Sequence, residues 1–314
     1  MMQIKHVCVV GGAGFIGRHV VHQLDVAGYK VKVLTRRRES AKHLILLPKV
    51  EVVECDLTHD AALHDALQGC DAVINLVGIL HQSRRATFER IHGDLPRRLA
   101  GMCKSLGIKR FIQVSALHAS SAAPSSYLRS KALGEAALKA SQLDWTVFRP
   151  SVVFGEGDNF LNLFAKMAKL LPVIPLALPT ARFQPVWVED LAKVIAASVN
   201  NLHTYQQTYD ICGPRIYTMK QLVEFAAKAV GKTPRIIGLS SRLSYLQALL
   251  MEFLPVQLIS RDNLRSMEID SVSTHPFPEL FGITPTALEA VAPYYLAGTT
   301  PRADYLRYRV TAGR

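Results

Sequence analysis

Short apolar runs alternate with longer amphipathic segments over the first half of the chain. The apolar runs predict strands at residues 4–10, 30–36, 50–54, 72–77, 110–115 and 144–149. Apolar residues spaced for one face of a helix predict helices at 14–27, 59–68 and 87–106. Strand and helix alternate so regularly that we expect an α/β fold with a parallel, doubly wound sheet and right-handed crossovers.

The second half of the chain has a less regular pattern. It predicts helices at 160–171, 190–199 and 220–230 and a strand at 205–212, whereas residues 171–179 carry too many prolines for a helix or a central strand. Either Glu189 or Asp190 is expected to cap the helix at 190–199. Residues 243–259 are mostly apolar but carry Glu252 and Pro255. They predict either a core or interface helix or a surface that rests on a membrane or a large partner.

The chain is organised around the sequence GGAGFIG at residues 11–17, which directly follows the first strand. Glycine lets the backbone turn tightly and approach a ligand where a Cβ would clash. The helix that follows directs unpaired N–H groups and the positive end of its dipole at this turn, which suits a phosphate group. The spacing fits the dinucleotide fingerprint. We therefore expect a nucleotide site that is contacted by Gly11, Gly14, Phe15, Ile16 and Gly17.

With a nucleotide site at its start, the chain divides into three parts. We expect a Rossmann-type NAD(P)-binding core at residues 1–155. Residues 156–212 are expected to add the remaining core strands and helices with cap insertions. Residues 213–314 are expected to form a smaller C-terminal α/β cap for the substrate or a partner, ending in a basic tail. A length of 314 residues suits one large domain or two joined ones.

The residues after the second predicted strand indicate which dinucleotide binds. An NAD site usually has an acidic residue here, which accepts a hydrogen bond from the ribose 2′-hydroxyl. This chain instead has the sequence TRRR at residues 35–38. An arginine can form a bidentate contact with a 2′-phosphate, which a carboxylate would repel. We therefore expect NADP(H) rather than NAD(H), with Arg36 and Arg37 as contacts; the alternative is a solvated basic turn.

The third and fourth predicted strands also end in candidate contacts. Asp56 and Leu57 follow the third strand, where an aspartate can accept a hydrogen bond from an adenine amino group. Asp56 or Thr58 could equally cap the next helix, and the two roles do not exclude each other. The fourth strand ends at Val77 and leads into Gly78, and both are expected to contact the cofactor.

A tyrosine and a lysine four residues apart follow the fifth strand. Tyr127 and Lys131 would share one face of a helix. A neighbouring ammonium group lowers the pKa of a tyrosine by stabilising its phenolate, so Tyr127 is a candidate acid or base near neutral pH. Ser115, at the end of the fifth strand, is placed to hydrogen-bond the same substrate oxygen. The alternative for the Tyr-x-x-x-Lys pattern is an exposed helix face.

With the glycine turn and this trio, the chain resembles the extended or atypical branch of the short-chain dehydrogenase/reductase superfamily over nearly its whole length. The resemblance implies that Tyr127, Lys131 and Ser115 are the catalytic residues. It also implies that Lys131 holds the nicotinamide ribose. In that branch a segment like RPSVVFG at residues 149–155 lines the nicotinamide, which here assigns Pro150 and Val153 to the cofactor site.

Four further segments sharpen the resemblance. They are NLVGIL at residues 75–80, RPSVVFG at 149–155, RFQPV at 182–186 and PTALEAV at 285–291. Together they resemble the complex I alpha-subcomplex subunit nine-like family, which are atypical short-chain dehydrogenases of bacteria. The mitochondrial relative is an accessory subunit of NADH:ubiquinone oxidoreductase that holds a tightly bound NADPH.

Composition and charge indicate which kinds of binding partner to expect. The net charge of +12 suits anionic partners such as a phosphorylated cofactor or an acidic membrane surface. No nucleic-acid-binding module is recognisable, so we expect no nucleic acid partner. Five scattered cysteines without a C-x-x-C pair indicate reduced thiols and no metal site. With no signal peptide or membrane-spanning run, we expect a cytoplasmic protein, peripheral at most on the inner face of the membrane. Residues 243–259 and the basic C-terminal tail would make that contact or one with a respiratory complex.

Three functions therefore remain open. The first is an NADP(H)-dependent oxidoreductase that acts on a carbonyl, alcohol or quinone-like substrate. The second is a non-catalytic nucleotide-binding accessory or assembly protein of the respiratory chain, stabilised by its cofactor. The third is a sugar-nucleotide epimerase or dehydratase, which the arginines after the second strand disfavour.

Overall fold

The computed structural model describes residues 3–84, 86–252 and 259–298. They belong to two compact units. The first contains the chain up to Pro150 together with Val188–Ile211 and Ser273–Ile283. The second contains Ser151–Trp187, Cys212–Val272 and the residues from Thr284 onward.

The described strands and helices follow the predicted order closely. The strands are β1 (His6–Val10), β2 (Lys30–Thr35), β3 (Val50–Glu54), β4 (Ala72–Asn75), β5 (Arg110–Val114), β6 (Asp144–Pro150), β7 (Val153–Phe154), β8 (Val173–Leu176), β9 (Arg182–Phe183), β10 (Val186–Trp187), β11 (Gln207–Ile211), β12 (Tyr217–Thr218) and β13 (Arg235–Gly238). The helices are α1 (Phe15–Val26), α2 (Asp60–Leu67), α3 (Leu95–Ser105), α4 (Ser126–Lys139), α5 (Leu161–Leu170), α6 (Val188–Ser198), α7 (Met219–Ala229), α8 (Ser241–Met251), α9 (Arg261–Ser266) and α10 (Leu288–Leu296).

The first unit is built on a seven-stranded parallel sheet. Its strand order is β11-β6-β5-β4-β1-β2-β3. The inner strands are apolar on both faces, because helices cover both sides of such a sheet; every residue of β4, for example, is buried. This arrangement confirms the predicted Rossmann-type fold class. The strand order reverses between β1 and β4, and the carboxyl ends of strands at such a reversal form the usual binding crevice.

The predicted helix at 87–106 is confirmed as a continuous helical segment from Phe88 to Ser105, but it is not α-helical throughout. Residues Glu89–Asp94 form a π-helical turn, and the α-helix begins only at Leu95. Pro96 has no N–H to donate to the carbonyl of His92, which interrupts the regular α-helical bonding there. Gly134 of α4 packs against that same carbonyl, since a Cβ built on Gly134 would lie 2.1 Å from the His92 oxygen.

Two predicted helix caps are wrong. The N-cap of α2 is His59, and no side chain caps the helix. The Asp56 carboxylate instead accepts two hydrogen bonds from Thr58, each 2.9 Å long. Helix α6 begins at Val188, so Glu189 and Asp190 lie in its first turn rather than ahead of it. Glu189 there accepts hydrogen bonds from His19 and Gln23, which joins α6 to α1.

The second unit contains three two-stranded sheets and a separate core. The sheets pair β7 with β10, β9 with β12 and β8 with β13. Helices α5, α7 and α10 pack around buried residues such as Leu161, Leu222 and Leu288. Residues 171–179 form neither a helix nor a central strand, as predicted; part of them forms β8. None of the helices in the described parts of the chain is long and apolar enough to cross a bilayer.

Candidate functional site

The turn between β1 and α1 depends on its glycines. Gly11 has a φ of +88°, which favours glycine, and its carbonyl accepts a hydrogen bond from the Gly14 N–H at 3.1 Å. A Cβ on Gly17 would lie 2.3 Å from the Gly11 oxygen. Helix α1 begins at Phe15 with no side-chain cap, so the N–H groups of its first turn have no intrahelical acceptor. The turn therefore presents N–H donors and the positive end of a helix dipole, which suits an anion.

The loop after β4 lies against this glycine turn. A Cβ on Gly11 would lie 3.1 Å from the Val77 nitrogen, so the two backbones approach closely. Asn75, fully buried at the end of β4, donates to Gln113 at 2.9 Å and accepts from the Val77 N–H at 3.2 Å. Gly11, Val77 and Gly78 thus come together where the sheet order reverses.

Lys131 reaches the same place from α4. A Cβ on Gly78 would lie 3.3 Å from the Lys131 Nζ. This ammonium group is buried and donates to the Val114 carbonyl over a long 3.4 Å. Burial lowers the pKa of Lys131 to about 8, while the charge of Glu135 opposes that shift. This one long hydrogen bond among the described residues compensates little for the burial of the cation, which lies at the carboxyl ends of β4 and β5.

Ser115 and Tyr127 complete the predicted trio. Ser115 directly follows β5, and its hydroxyl is buried without a hydrogen-bond partner among the described residues. The Lys131 Nζ lies 5.9 Å from the centroid of the Tyr127 ring. The expectation that this ammonium lowers the tyrosine pKa is wrong, since burial raises the pKa of Tyr127 to about 12. At neutral pH, Tyr127 therefore carries its proton.

His92 is a site residue that the sequence reasoning missed. Its Nε2 accepts from the Ile79 N–H at 3.0 Å, so Nδ1 carries the proton that faces the Ser130 hydroxyl at 2.9 Å. The Ser130 hydroxyl in turn donates to the Tyr127 carbonyl at 2.7 Å. Burial and the Lys131 charge lower the pKa of His92 to about 2, so its ring is neutral.

Two aromatic contacts hold the Tyr127 ring. The ring packs edge-on against His92, with centroids 5.4 Å apart, and against Phe88, with centroids 5.8 Å apart. The spacing of Phe88, His92, Leu95 and Leu99 is one signal that could have identified His92, because it places the histidine on a buried helix stripe.

The residues predicted to contact the adenine half of the cofactor are exposed, except for the half-buried Leu57. Arg36 and Arg37 lie in the turn after β2, where the Thr35 hydroxyl donates to the Arg37 carbonyl at 3.1 Å. Asp56 lies in the turn after β3, and its hydrogen bonds from Thr58 lower the pKa of its carboxyl. Leu57 packs against the core of the first unit. Because β2 and β3 are parallel neighbours, both turns lie at the same edge of the sheet as the glycine turn.

Pro150 and Val153, the last two residues predicted to contact the cofactor, belong to different units. Pro150 ends β6 in the first unit, and its carbonyl accepts from the Leu117 N–H at 3.0 Å. Val153 begins β7 in the second unit, where it pairs with Val186. The predicted basic C-terminal tail and residues 253–258 of the predicted apolar segment lie outside the described residues.

The residues of the first unit fit a dinucleotide. The glycine turn offers N–H donors to a pyrophosphate, and the arginine turn offers positive charge. The buried Ser115 hydroxyl and the weakly bonded Lys131 ammonium offer donors to polar groups beside Tyr127.

Comparisons with known proteins agree with this geometry. Residues 11–162 match a family model described as NAD(P)H-binding. The chain is 33% identical over 298 residues to the mitochondrial NADH dehydrogenase (ubiquinone) 1 alpha subcomplex subunit 9 of Rattus norvegicus, which covers 90% of this chain and 77% of the relative. It is also 33% identical over 235 residues to a ceramide reductase of Caulobacter vibrioides, covering 74% of this chain and 73% of that protein.

Solved structures share the fold. An NADPH-dependent quinone oxidoreductase of Escherichia coli, solved with NADPH, has a TM-score of 0.72 and 19% identity and covers 96% of this chain and 99% of its own. A nucleoside-diphosphate-sugar epimerase of Staphylococcus aureus has a TM-score of 0.73 and 19% identity. The match covers 93% of this chain and 100% of the epimerase. At this identity the likeness is one of fold, which hosts several chemistries.

Proposed function

Because the chain belongs to the family of NADH dehydrogenase (ubiquinone) 1 alpha subcomplex subunit 9, we propose that it is an NADP(H)-dependent oxidoreductase. Its substrate is a carbonyl, alcohol or quinone-like compound. The observation that carries the proposal is the Ser115 hydroxyl, which is buried without a hydrogen-bond partner among the described residues, together with the buried Lys131 ammonium, whose hydrogen bond to the carbonyl of Val114, the residue before Ser115, is a long 3.4 Å. Buried donors of this kind need an acceptor, and a substrate oxygen supplies one.

The protein's own residues move the proton. When bound, the nicotinamide cofactor supplies or accepts the hydride. Tyr127, with its pKa raised to about 12, holds a proton that it donates to the substrate oxygen as that oxygen gains charge. The Lys131 cation stabilises the phenolate that remains, and Ser115 donates a hydrogen bond to the same oxygen. The protonated form of Tyr127 is the form that acts as the general acid in the reduction direction.

NADP(H) is the proposed cofactor. The exposed Arg36 and Arg37 supply positive charge where a 2′-phosphate would lie. Gly11, Gly14 and Gly17 permit the close approach of the pyrophosphate.

The test is oxidation of NADPH by the purified protein with a panel of quinones, ketones and long-chain lipid carbonyls. We expect turnover with at least one class, and Ser115→Ala should slow it. The matched control is Ser105→Ala, whose hydroxyl bonds only to its own helix at Met102 in the described structure. If no compound is reduced while NADPH binds, the oxidoreductase proposal fails.

A second candidate function is that of a nucleotide-holding accessory protein of the respiratory chain. The observation that favours it is the likeness to mitochondrial complex I subunits of several organisms, including rat and Arabidopsis thaliana. NADPH would then raise the free energy of unfolding without being consumed. Stabilisation by NADPH with no turnover on the whole panel would favour this function. In either case we place the protein in the cytoplasm, peripheral to the membrane.

A further inference from the structure

Helix α8 in the second unit exposes several of its leucines to solvent, unlike a helix that packs on a core. It buries Ser244 and Ala248, whereas Leu243, Leu246 and Leu250 are 53%, 50% and 61% exposed. The Ser244 hydroxyl is buried without a hydrogen-bond partner among the described residues. An ordinary surface helix places its leucines inward and its small polar residues outward. The exposed leucines therefore need another surface to cover them.

The outer face of the β8–β13 sheet continues this apolar surface. Val173 and Ile237 are 41% and 44% exposed, while Ile174 between the outward residues of β8 is buried. Gln247, which lies among the leucines on the surface of α8, donates to the Pro175 carbonyl at 3.0 Å. The helix thus lies alongside β8. We call these side chains the apolar face: Leu171, Val173, Ile237, Leu243, Leu246 and Leu250.

Exposed basic residues flank the apolar face along the chain, and the acidic residue that follows α8, Glu252, is paired with Arg261. The two stretches that carry the apolar face, residues 161–180 and 231–251, contain no aspartate or glutamate. Their basic residues are all exposed: Lys166, Lys169, Lys232, Arg235 and Arg242. Arg235 lies opposite Val173 in the β8–β13 register, and Arg242 directly precedes Leu243. An aliphatic surface flanked by exposed basic residues complements an anionic surface.

We propose that the apolar face docks the protein on a membrane that contains anionic lipids. The leucines enter the boundary between headgroups and acyl chains, and the basic residues pair with lipid phosphates. A second copy of the chain is a poorer occupant, because a symmetric contact would bring two sets of basic residues together. A protein partner is an outcome of the test rather than the proposal, because the exposed basic residues beside aliphatic side chains match the headgroups and acyl chains of an anionic bilayer. The inference does not depend on the proposed oxidoreductase activity.

The experiment is flotation of the full chain with vesicles of phosphatidylcholine alone or mixed with phosphatidylglycerol. We expect binding to the mixed vesicles, weakened by salt. The double substitution Leu243→Ser and Leu246→Ser should weaken it by about tenfold or more. Replacing Arg235 or Arg242 by Gln should weaken it by about fivefold each.

The controls lie in the first unit. Val26 and Leu46 are 69% and 86% exposed, and their double replacement by Ser should leave vesicle binding unchanged. Lys104→Gln, at an exposed position of α3, is the charge control. Light scattering measures the oligomeric state of each variant. The proposal is overturned if the wild-type protein does not bind the mixed vesicles, or if the control substitutions weaken binding as much as the leucine substitutions do. It is also overturned if the leucine substitutions only convert a dimer to a monomer. Oxidation of NADPH with the substrate panel, measured separately, distinguishes any of these results from failure of the oxidoreductase proposal.

Discussion

The buried cluster around Tyr127 and the exposed arginine turn after β2 are built in opposite ways. In the cluster, burial rather than ion pairing fixes the protonation of Tyr127, Lys131 and His92. At the turn, the side chains of Arg36 and Arg37 are exposed to water. A hydrogen bond from a buried donor is strong, and its strength depends on the neighbouring groups. The interaction of an exposed charge is weakened by salt and depends less on its neighbours. One end of the site is therefore suited to chemistry and the other to selecting a cofactor.

The largest expected effect is in the buried cluster. Tyr127→Phe removes the proton donor and leaves the ring contacts with Phe88 and His92. We expect turnover of any substrate found in the panel to fall by about 10²–10⁴-fold. NADPH affinity, measured by fluorescence titration, should stay within about twofold, because the phenol acts on the substrate. Equal losses of turnover and affinity would instead assign Tyr127 to cofactor binding.

We expect the second largest effect from a substitution in the glycine turn between β1 and α1. A Cβ on Gly17 would lie 2.3 Å from the Gly11 oxygen and 2.6 Å from the Gly12 Cα. Gly17→Ala should lower the free energy of unfolding by about 1–3 kcal/mol and abolish NADPH binding. Gly101→Ala in α3 is the control, since its Cβ would meet nothing within 4 Å. That variant should gain about 0.5–1 kcal/mol in urea unfolding. An unperturbed Gly17→Ala protein would contradict the tight packing of the turn.

The buried cluster should also make stability depend on pH. The pKa of His92 is lowered to about 2, below its ordinary value near 6.5. The stability that depends on its neutral ring is therefore present above about pH 6.5 and is lost as pH falls toward 2. The loss is about 1.4 kcal/mol per pH unit, or roughly 2 kcal/mol by pH 5.

Urea unfolding across this pH range tests the assignment. His92→Gln should be less stable at neutral pH but should have the flatter slope. His59→Gln should keep the wild-type slope, because that imidazole is 72% exposed. A wild-type slope in His92→Gln would show that another group titrates.

The exposed turn gives the smallest effect. Arg36→Asp should weaken NADPH binding by about tenfold and reverse the preference over NADH, because a carboxylate repels the 2′-phosphate. Raising the salt concentration should reduce the wild-type preference. Arg97→Asp, at an arginine of α3 that is 69% exposed, should leave both affinities unchanged. Equal effects of the two substitutions would mean that net charge alone sets the preference.

Local patterns predicted the fold well because strand and helix periodicity, glycines and prolines act within a few residues of each other. Parallel topology brings the carboxyl ends of β4 and β5 together, and Lys131 of α4 reaches Gly78 there. The raised pKa of Tyr127 and the role of His92 could not be predicted, because both depend on packing between α4 and the π-helical turn before α3. For the leucines of α8, the sequence left a core helix and an exposed surface as alternatives, since sequence spacing does not say which side of a helix is covered.

A crystal structure of the protein with NADPH tests the central claim most directly. The account predicts the pyrophosphate against the N–H groups of Phe15 and Ile16, the 2′-phosphate at Arg36 and the nicotinamide beside Tyr127 and Lys131. A nucleotide bound elsewhere, or a glycine turn filled by the protein's own side chains, would contradict it.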